Sequence, residues 1–341
     1  MSVFCSREFS LTVNPSCTDF GKTESQVVAK PDTVLAFAPL NVAYDSTHDV
    51  FYSVSGAGGG SNVFCVEPVL FAQLWRLSVG TGGFQGDTLF VPETGFLYYC
   101  NRSNGLYEID VTTHLSTRLL AYPFGVGRGP SYICFRTTDN SLFTCGSFEG
   151  GLAKVDAAAL TILDSNTATL ARARFPLWCP LNDRIYVYCR SDGGTAGLSC
   201  VDPDTLAIEA TITESQTDFK VPAYSPVSEQ IYIVREAFPV FQLIVIDPVF
   251  NTVVETINIA PYFPTTTANH TWKCYALGCN VYVISTQTKE YAVFKAKDNS
   301  LIANGVWTQI PLAMAAGKDS AEGVVFCANV YPSPYVRITP P

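Results

Sequence analysis

Three histidines, His48, His114 and His270, are the chain's whole supply of the side chain most used for proton transfer near neutral pH. They fall in no His-x-His or Glu-x-x-His pattern. His48 reads as part of a hairpin turn and His114 as part of a strand connection. Only His270, just ahead of a strand, is placed to reach a central site. A Ser-His-Asp triad or a catalytic metal is therefore not expected. Twelve cysteines are present, but no CxxC pair recurs at zinc-finger spacing, so neither a structural zinc nor any other metal or cofactor is expected. Cys65, Cys100, Cys145, Cys189 and Cys327 sit inside strand-like runs, where a thiol acts as a small buried hydrophobe. One pairing suggests more. A tight turn at Asp139-Asn140 would set Thr138 opposite Ser141 and Cys134 opposite Cys145, at a separation a disulfide bridges.

The cationic residues carry a second pattern. Lys30, Arg128, Arg172, Arg174, Lys220, Lys273 and Lys318 recur just before successive strands of one kind, seven of the 21 Lys and Arg in a chain of net charge −9. If those strands converge, the residues form a positive ring suited to an anion or an acidic partner. The competing reading is ordinary solvated loop charge.

Those strands belong to a repeat. Second-strand runs begin at Val50, Leu97, Leu142, Ile185, Ile231, Val281 and Val325. Each is followed by an aromatic: Phe51, Tyr98, Phe143, Tyr186, Tyr232, Tyr282 and Phe326. The spacings are 47, 45, 43, 46, 50 and 44, a period of propeller size. The clearest copy is IYIVREAFPVFQLIVIDPVFNTVVETI, Ile231 to Ile257, with a short run at Val221 to Tyr224 before it. Its β-branched and aromatic runs are broken by Pro, Asp and Asn. An acidic residue closes the third strand in most copies: Glu67, Asp110, Asp156, Asp202 and Asp247. The sixth has Lys295 there, with Asp298 just beyond. An Asp at a strand end accepts hydrogen bonds from backbone N–H groups two residues on, so these acids read as turn formers.

The expected fold is all-β: a seven-bladed β-propeller of four-stranded antiparallel blades, one domain over residues 1–341. Residues 31–341 supply seven blades and residues 1–30 a closing strand and connector. The seventh copy lacks a fourth strand. Ser2 to Val13 is expected to complete it beside Tyr335 to Ile338, which removes an open edge.

VIDPVFNTVVETI and VDPDTLAIEATI resemble the repeat of YVTN-type seven-bladed β-propellers, with weaker echoes in IDVTTHLSTRLL and VDAAALTI. The resemblance implies the fold and a kinship with surface-layer and assembly proteins, with lactonases among the fold relatives. It carries no catalytic motif.

Charged residues make up only 15% of the chain, which suits a packed assembly. The negative charge argues against non-specific nucleic-acid binding. No run approaches the length of a membrane helix. MSVFCSREF has neither the basic start nor the apolar run of a secretion signal, so the chain is expected to stay where it is made or to leave inside something larger. Gly56 to Gly60 and Gly80 to Gly83 are followed by strand rather than helix, and read as a hairpin tip and a connector instead of phosphate loops. Asn101-Arg102-Ser103 and Asn269-His270-Thr271 match the glycosylation sequon by coincidence. Trp75, Trp178, Trp272 and Trp307 are expected to pack between blades.

The function expected is a non-enzymatic structural or interaction module of a multi-subunit particle such as a virion, tail or surface layer. It would bind protein partners or a receptor through loops that include Phe238 and Tyr262-Phe263. The alternative is a propeller hydrolase or lactonase. That needs several oxygens around a cation in the central funnel, where the expected inner strands offer only Asn41 and Asp87.

Overall fold

The computed structural model describes residues 41–57, 60–67, 73–81, 85–101, 103–121, 130–146, 151–170, 173–189, 197–213, 220–237, 240–266, 272–286 and 288–306. It also describes the backbone of strands at 4–5, 8–9, 26–27, 311–316, 324–328 and 335–339. The architecture is that of a β-propeller, in which six of the described sheets each contain an antiparallel meander of four sequential strands. Blade 1 comprises Asn41–Asp45, Val50–Ala57, Gly60–Val66 and Gln73–Thr81. Blade 2 comprises Gln85–Val91, Phe96–Asn101, Gly105–Asp110 and Leu115–Leu120. Blade 3 comprises Pro130–Arg136, Ser141–Gly146, Leu152–Asp156 and Thr161–Asn166. Blade 4 comprises Ala173–Cys179, Arg184–Cys189, Gly197–Val201 and Ile208–Thr213. Blade 5 comprises Ala223–Ser225, Gln230–Ala237, Val240–Asp247 and Thr252–Asn258. Blade 6 comprises Trp272–Leu277, Asn280–Ser285, Glu290–Lys295 and Leu301–Val306.

First strands of neighbouring blades touch, and fourth strands lie outermost. Burial follows that order. The second and third strands are buried on both faces, as in Leu142 to Gly146, because each blade packs between two others. Fourth strands such as Leu115–Leu120 and Thr252–Asn258 are largely exposed. The core therefore lies between blades. One cluster joins Tyr52, Val54 and Val63 of blade 1 to Phe90, Leu97 and Tyr99 of blade 2. Another joins Tyr98 and Leu106 of blade 2 to Ile133, Phe135 and Leu142 of blade 3.

The turns share one backbone device. A left-handed residue closes the turn before each second strand: Asp49, Gly95, Asn140, Asp183 and Glu229 directly before it and Gly278 two residues before it, all with φ between 54° and 73°. The same holds before fourth strands at His114, Leu160, Leu206, Asn251 and Asn299. The acidic residues behave as turn formers. Asp110 Oδ1 accepts from the N–H groups of Thr112 and Thr113 at 2.7 and 3.1 Å, and Asp156, Asp202 and Asp247 repeat the arrangement.

The repeating aromatic has a specific job in three blades. Tyr98 of blade 2 places its hydroxyl 3.0 Å from the carbonyl of Ala157 in blade 3. Tyr186 of blade 4 reaches Pro248 O at 3.1 Å and Asn251 Oδ1 at 2.6 Å in blade 5. Tyr232 of blade 5 reaches Ala296 O at 3.2 Å and Asn299 Oδ1 at 2.8 Å in blade 6. Ala157, Pro248 and Ala296 occupy the same turn position, directly after a third strand. The hydroxyl thus ties each sheet to the next one's outer turn.

Four expectations need correction. In blade 3 the turn spans residues 137–140, so Arg136 pairs with Ser141, Cys134 with Phe143 and Cys145 with Tyr132. Cys134 and Cys145 are not opposed and not bridged. A two-residue turn was too short, because the left-handed Asn140 closes a four-residue one. The blade 4 inner strand starts at Ala173, before Pro176, because a bulge between Arg174 and Leu177 absorbs the proline. Phe263 is buried, stacking edge-on against Trp272 with centroids 4.8 Å apart, and is no recognition residue. Phe238 lies outside the described residues.

The last correction concerns the N-terminus. Of the run from Ser2 to Val13, the described strands Phe4–Cys5 and Glu8–Phe9 pair with each other rather than with Tyr335–Thr339. Phe4 pairs with Phe9 and Cys5 with Glu8. Gln26–Val27, in the segment expected to be connector, pairs instead with Thr339 and Ile338. That strand edges a sheet whose other members are Pro311–Ala316, Val324–Ala328 and Tyr335–Thr339.

Tyr186→Phe removes the inter-blade hydroxyl and its bonds to Pro248 O and Asn251 Oδ1, leaving Asn182 Nδ2 as the donor to Pro248 O at 2.6 Å. It is expected to cost about 1–2 kcal/mol, measured as a lowered urea midpoint with an unchanged m-value.

Candidate functional site

The basic residues expected around the central opening divide into those the structure places and those it does not. Lys30, Arg128, Arg172 and Lys318 lie outside the described residues. Arg174 is the second residue of the blade 4 inner strand and is 2% exposed. Lys273 is the second residue of the blade 6 inner strand and is half-buried. Lys220 begins a two-residue strand, Lys220–Val221, ahead of the blade 5 inner strand. That strand pairs in parallel with blade 6, Lys220 beside Trp272 and Val221 beside Lys273. The three cations therefore stand at the leading ends of inner strands, and two occupy adjacent registers of one parallel pair.

The same end of the ring also holds acids and hydroxyls. Asp87 and Ser131, at the starts of the blade 2 and blade 3 inner strands, are 4% and 6% exposed. Glu236 of blade 5 accepts from the Trp272 indole at 3.3 Å. Glu290 is fully buried, with Thr265 N, Thr266 Oγ1 and Thr288 Oγ1 donating at 2.8, 2.7 and 2.9 Å. Burial works to raise the Glu290 pKa, and these donors, Thr266 first, outweigh it and hold it below the usual carboxylate value. This end of the blades thus holds buried groups of both signs of charge. Sequence reading missed Arg174 as an inner-strand residue because the bulge hid where the strand begins.

The opposite face carries a denser charge cluster, which reading by repeats did not predict. Arg136, at the end of the blade 3 inner strand, grips Asp183 of blade 4 in a fork, Nε to Oδ1 at 2.9 Å and Nη2 to Oδ2 at 2.5 Å. Its Nη1 also reaches Asp139 and Asp204 at 2.8 and 3.0 Å. Lys154 Nζ meets the same Asp139 and Asp204, each at 2.8 Å. The Arg136 guanidinium holds Asp183 down to about 2, against an ordinary 3.8. Lys154 holds Asp204 below its usual value. Two cations against three carboxylates leave the cluster near balance, spanning two blades. It serves where blade 3 has Phe143 in place of the bridging tyrosine, and Lys154 Nζ lies 5.9 Å above that ring.

The candidate catalytic groups are engaged in packing. His48 Nδ1 is 2.7 Å from Asp45, which also accepts from Tyr52 at 2.9 Å and from two turn N–H groups. His114 stacks on Trp75 across the blade 1–2 boundary at 4.6 Å. His270 lies outside the described residues. Burial pushes the Cys65 thiol up to about 12 and Cys189 up to about 11, far from a reactive thiolate. Cys279 is disulfide-bonded. Among the described residues, no group of three or more His, Cys, Asp or Glu side chains converges to hold a metal ion. Asn101 is fully buried, its side chain turned inward to Ser61 and its own turn, so that sequon is inaccessible. No described helix is long and apolar enough to cross a membrane.

No family model matches the chain, and no curated protein sequence does. Solved structures do. The chain resembles Kuenenia stuttgartiensis hydrazine synthase with a TM-score of 0.69 at 13% identity, over 91% of this chain and 96% of that one. It resembles the Neurospora crassa Pan2 WD40 domain with a TM-score of 0.66 at 10% identity, over 92% and 94%. Identity this low shows the shared propeller fold alone.

Asp183→Asn tests the ionic joint. The native carboxyl has a depressed pKa, so its contribution is complete above about pH 4 and is lost as pH falls toward 2. The variant is expected to lose up to about 1 kcal/mol at pH 7, discounted for partial exposure. It should also show a shallower fall in melting temperature from pH 4 to pH 2, read by calorimetry.

Proposed function

We propose that the chain is a seven-bladed YVTN-type propeller, closed where Gln26–Val27 joins the C-terminal strands, and that it works by binding neighbouring protein subunits rather than by catalysis. The observation that carries this reading is an apolar patch on the outer edge of blade 5. Phe250 is 73% exposed, with Val249 and Val254 at 56% and 50% beside it in sequence. Val253 extends the patch along the same outermost strand. A soluble protein seldom leaves such neighbours in water unless they meet another surface. The exposed strand also offers unpaired backbone groups to an extended partner segment.

Other features support the reading. The low charged fraction suits a surface that is covered in use. The described histidines and buried carboxylates already serve turns and blade contacts, and the solved relatives share a fold that commonly displays rigid loops. A place in a virion, tail or surface particle is the version of this function that composition favours. The partner subunit, rather than a small substrate, is then what the protein recognises.

Sedimentation velocity and cross-linking of the purified protein, alone and with proteins recovered from its source particle, test the reading. Phe250→Asp with Val254→Lys is expected to weaken association about tenfold or more, since burying one large apolar side chain contributes about 1.5–3 kcal/mol. Unchanged association in the double variant removes the blade 5 edge as the docking surface.

A further inference from the structure

The outer rim repeats as regularly as the turns do. In each of blades 1 to 6 the fourth strand carries one extra residue near its start, a β-bulge against the third strand. The residue after the bulge is Trp75, Arg118, Asp164, Ala210, Glu255 and Ala303 in that blade order. Blade 2 thus offers a cation where blades 3 and 5 offer anions. Leu115 and Leu119, on the same strand as Arg118, are 60% and 49% exposed. Glu255 has Val253, Val254 and Phe250 near it, whereas Asp164 has only Leu163 as a large exposed apolar neighbour among the described residues. Both charges are held in place. Arg118 Nε donates to Glu108 Oε1 at 2.7 Å and Nη2 to Oε2, and Glu255 Oε2 accepts from Asn299 Nδ2 at 2.7 Å. The Arg118 side chain nonetheless keeps 36% of its surface exposed.

The first strands of blades 2, 3, 4 and 5 touch in that order, so the blade 2 and blade 5 edges face away from each other. They meet only when they belong to different copies. The bulges leave short straight runs on either side, so side chains rather than a continued ladder make a rim-to-rim contact. Phe250 with Val249, Val253 and Val254 presents on the order of 350 Å² of apolar surface, at about 150–250 Å² for a whole aromatic. That is under half of the ~800 Å² each partner gives a stable pair. A single joint of this kind is weak, and its products depend on concentration.

We propose that copies of the chain join end to end, the blade 2 edge of one against the blade 5 edge of the next. Arg118 then lies beside Glu255, and Leu115 and Leu119 cover Val254 and Phe250. This assignment rests on the blade 5 edge being a docking surface, and makes a second copy its occupant. The opposed charges set which edge meets which, since two blade 5 edges brought together would set Glu255 toward Glu255. The joined edges differ, so the contact is heterologous. Every assembly keeps one edge of each kind at its ends and continues past the dimer.

Sedimentation velocity of the full chain over a concentration series tests this. The native protein is expected to pass from monomer to dimer to longer species with no limiting size. Leu119→Glu and Val254→Lys change exposed positions, and each alone is expected to weaken association about tenfold or more. Arg118 is left unchanged, because without it Glu108 would stay buried and charged. An equimolar mixture of the two variants is expected to regain association, since one pair of edges then carries opposite introduced charges and the other pair is native. A native protein that stays monomeric, a limit at the dimer, or a mixture no better than its components overturns the proposal. Leu119→Glu leaves the blade 5 edge intact. If it associates like the native protein while Phe250→Asp with Val254→Lys does not, the blade 5 docking surface stands and the blade 2 edge is not its occupant. If neither variant changes association, both readings fail.

Discussion

A buried hydroxyl that finds its acceptor one sheet away is the contact on which the packing of these blades depends. An isolated four-stranded meander buries little and presents apolar residues on both faces. It is stable only between neighbours. Apolar contact alone would let one sheet slide over the next, because it is non-directional. The Tyr98, Tyr186 and Tyr232 hydroxyls fix the offset, since each reaches one carbonyl at one turn position of the following blade. The acidic turn residues prepare that carbonyl. By accepting backbone N–H groups, Asp156 and Asp247 set the shape of the turn to which the tyrosine bonds.

Where the tyrosine is absent, other chemistry occupies the boundary. Blade 1 has Phe51, and its outer strand meets blade 2 through the stack of Trp75 on His114. Blade 3 has Phe143, and Arg136 and Lys154 reach three aspartates, two of them in blade 4. The aromatic joint is insensitive to salt, whereas the ionic one rests on partly exposed carboxylates and is screened by it. The strength of the boundary between blades 3 and 4 accordingly depends on acidity and ionic strength.

The period of the second-strand aromatics was legible because strand residues and turn formers repeat in the sequence itself. The strands around Ile231 to Ile257 match the folded ones to within a few residues, and the aspartates bond as turn chemistry requires. What the repeat does not encode is anything set by a neighbour. No local pattern says that Tyr186 bonds to blade 5 while Phe143 is replaced by an ionic cluster. The Cys134 register failed on two residues of turn length, since a left-handed Asn serves short and long turns alike. Arg174 was placed outside the strand because Pro176 usually ends a ladder, and here a bulge carries the strand past it. Of the seven basic residues, only Arg174, Lys220 and Lys273 fall among the described ones, and Arg174 and Lys273 lie within their inner strands rather than ahead of them.

Pro222 divides the strand that leads into blade 5. Lys220–Val221 hydrogen-bonds sideways to blade 6, and Ala223–Ser225 belongs to blade 5. The backbone of one repeat is therefore woven into the sheet of the next. A gene segment encoding residues 223–258 carries a complete meander but leaves its anchor behind. The modular unit at this point is the pair of blades, and duplication, deletion or exchange of blade 5 by itself would sever a strap that its neighbour needs.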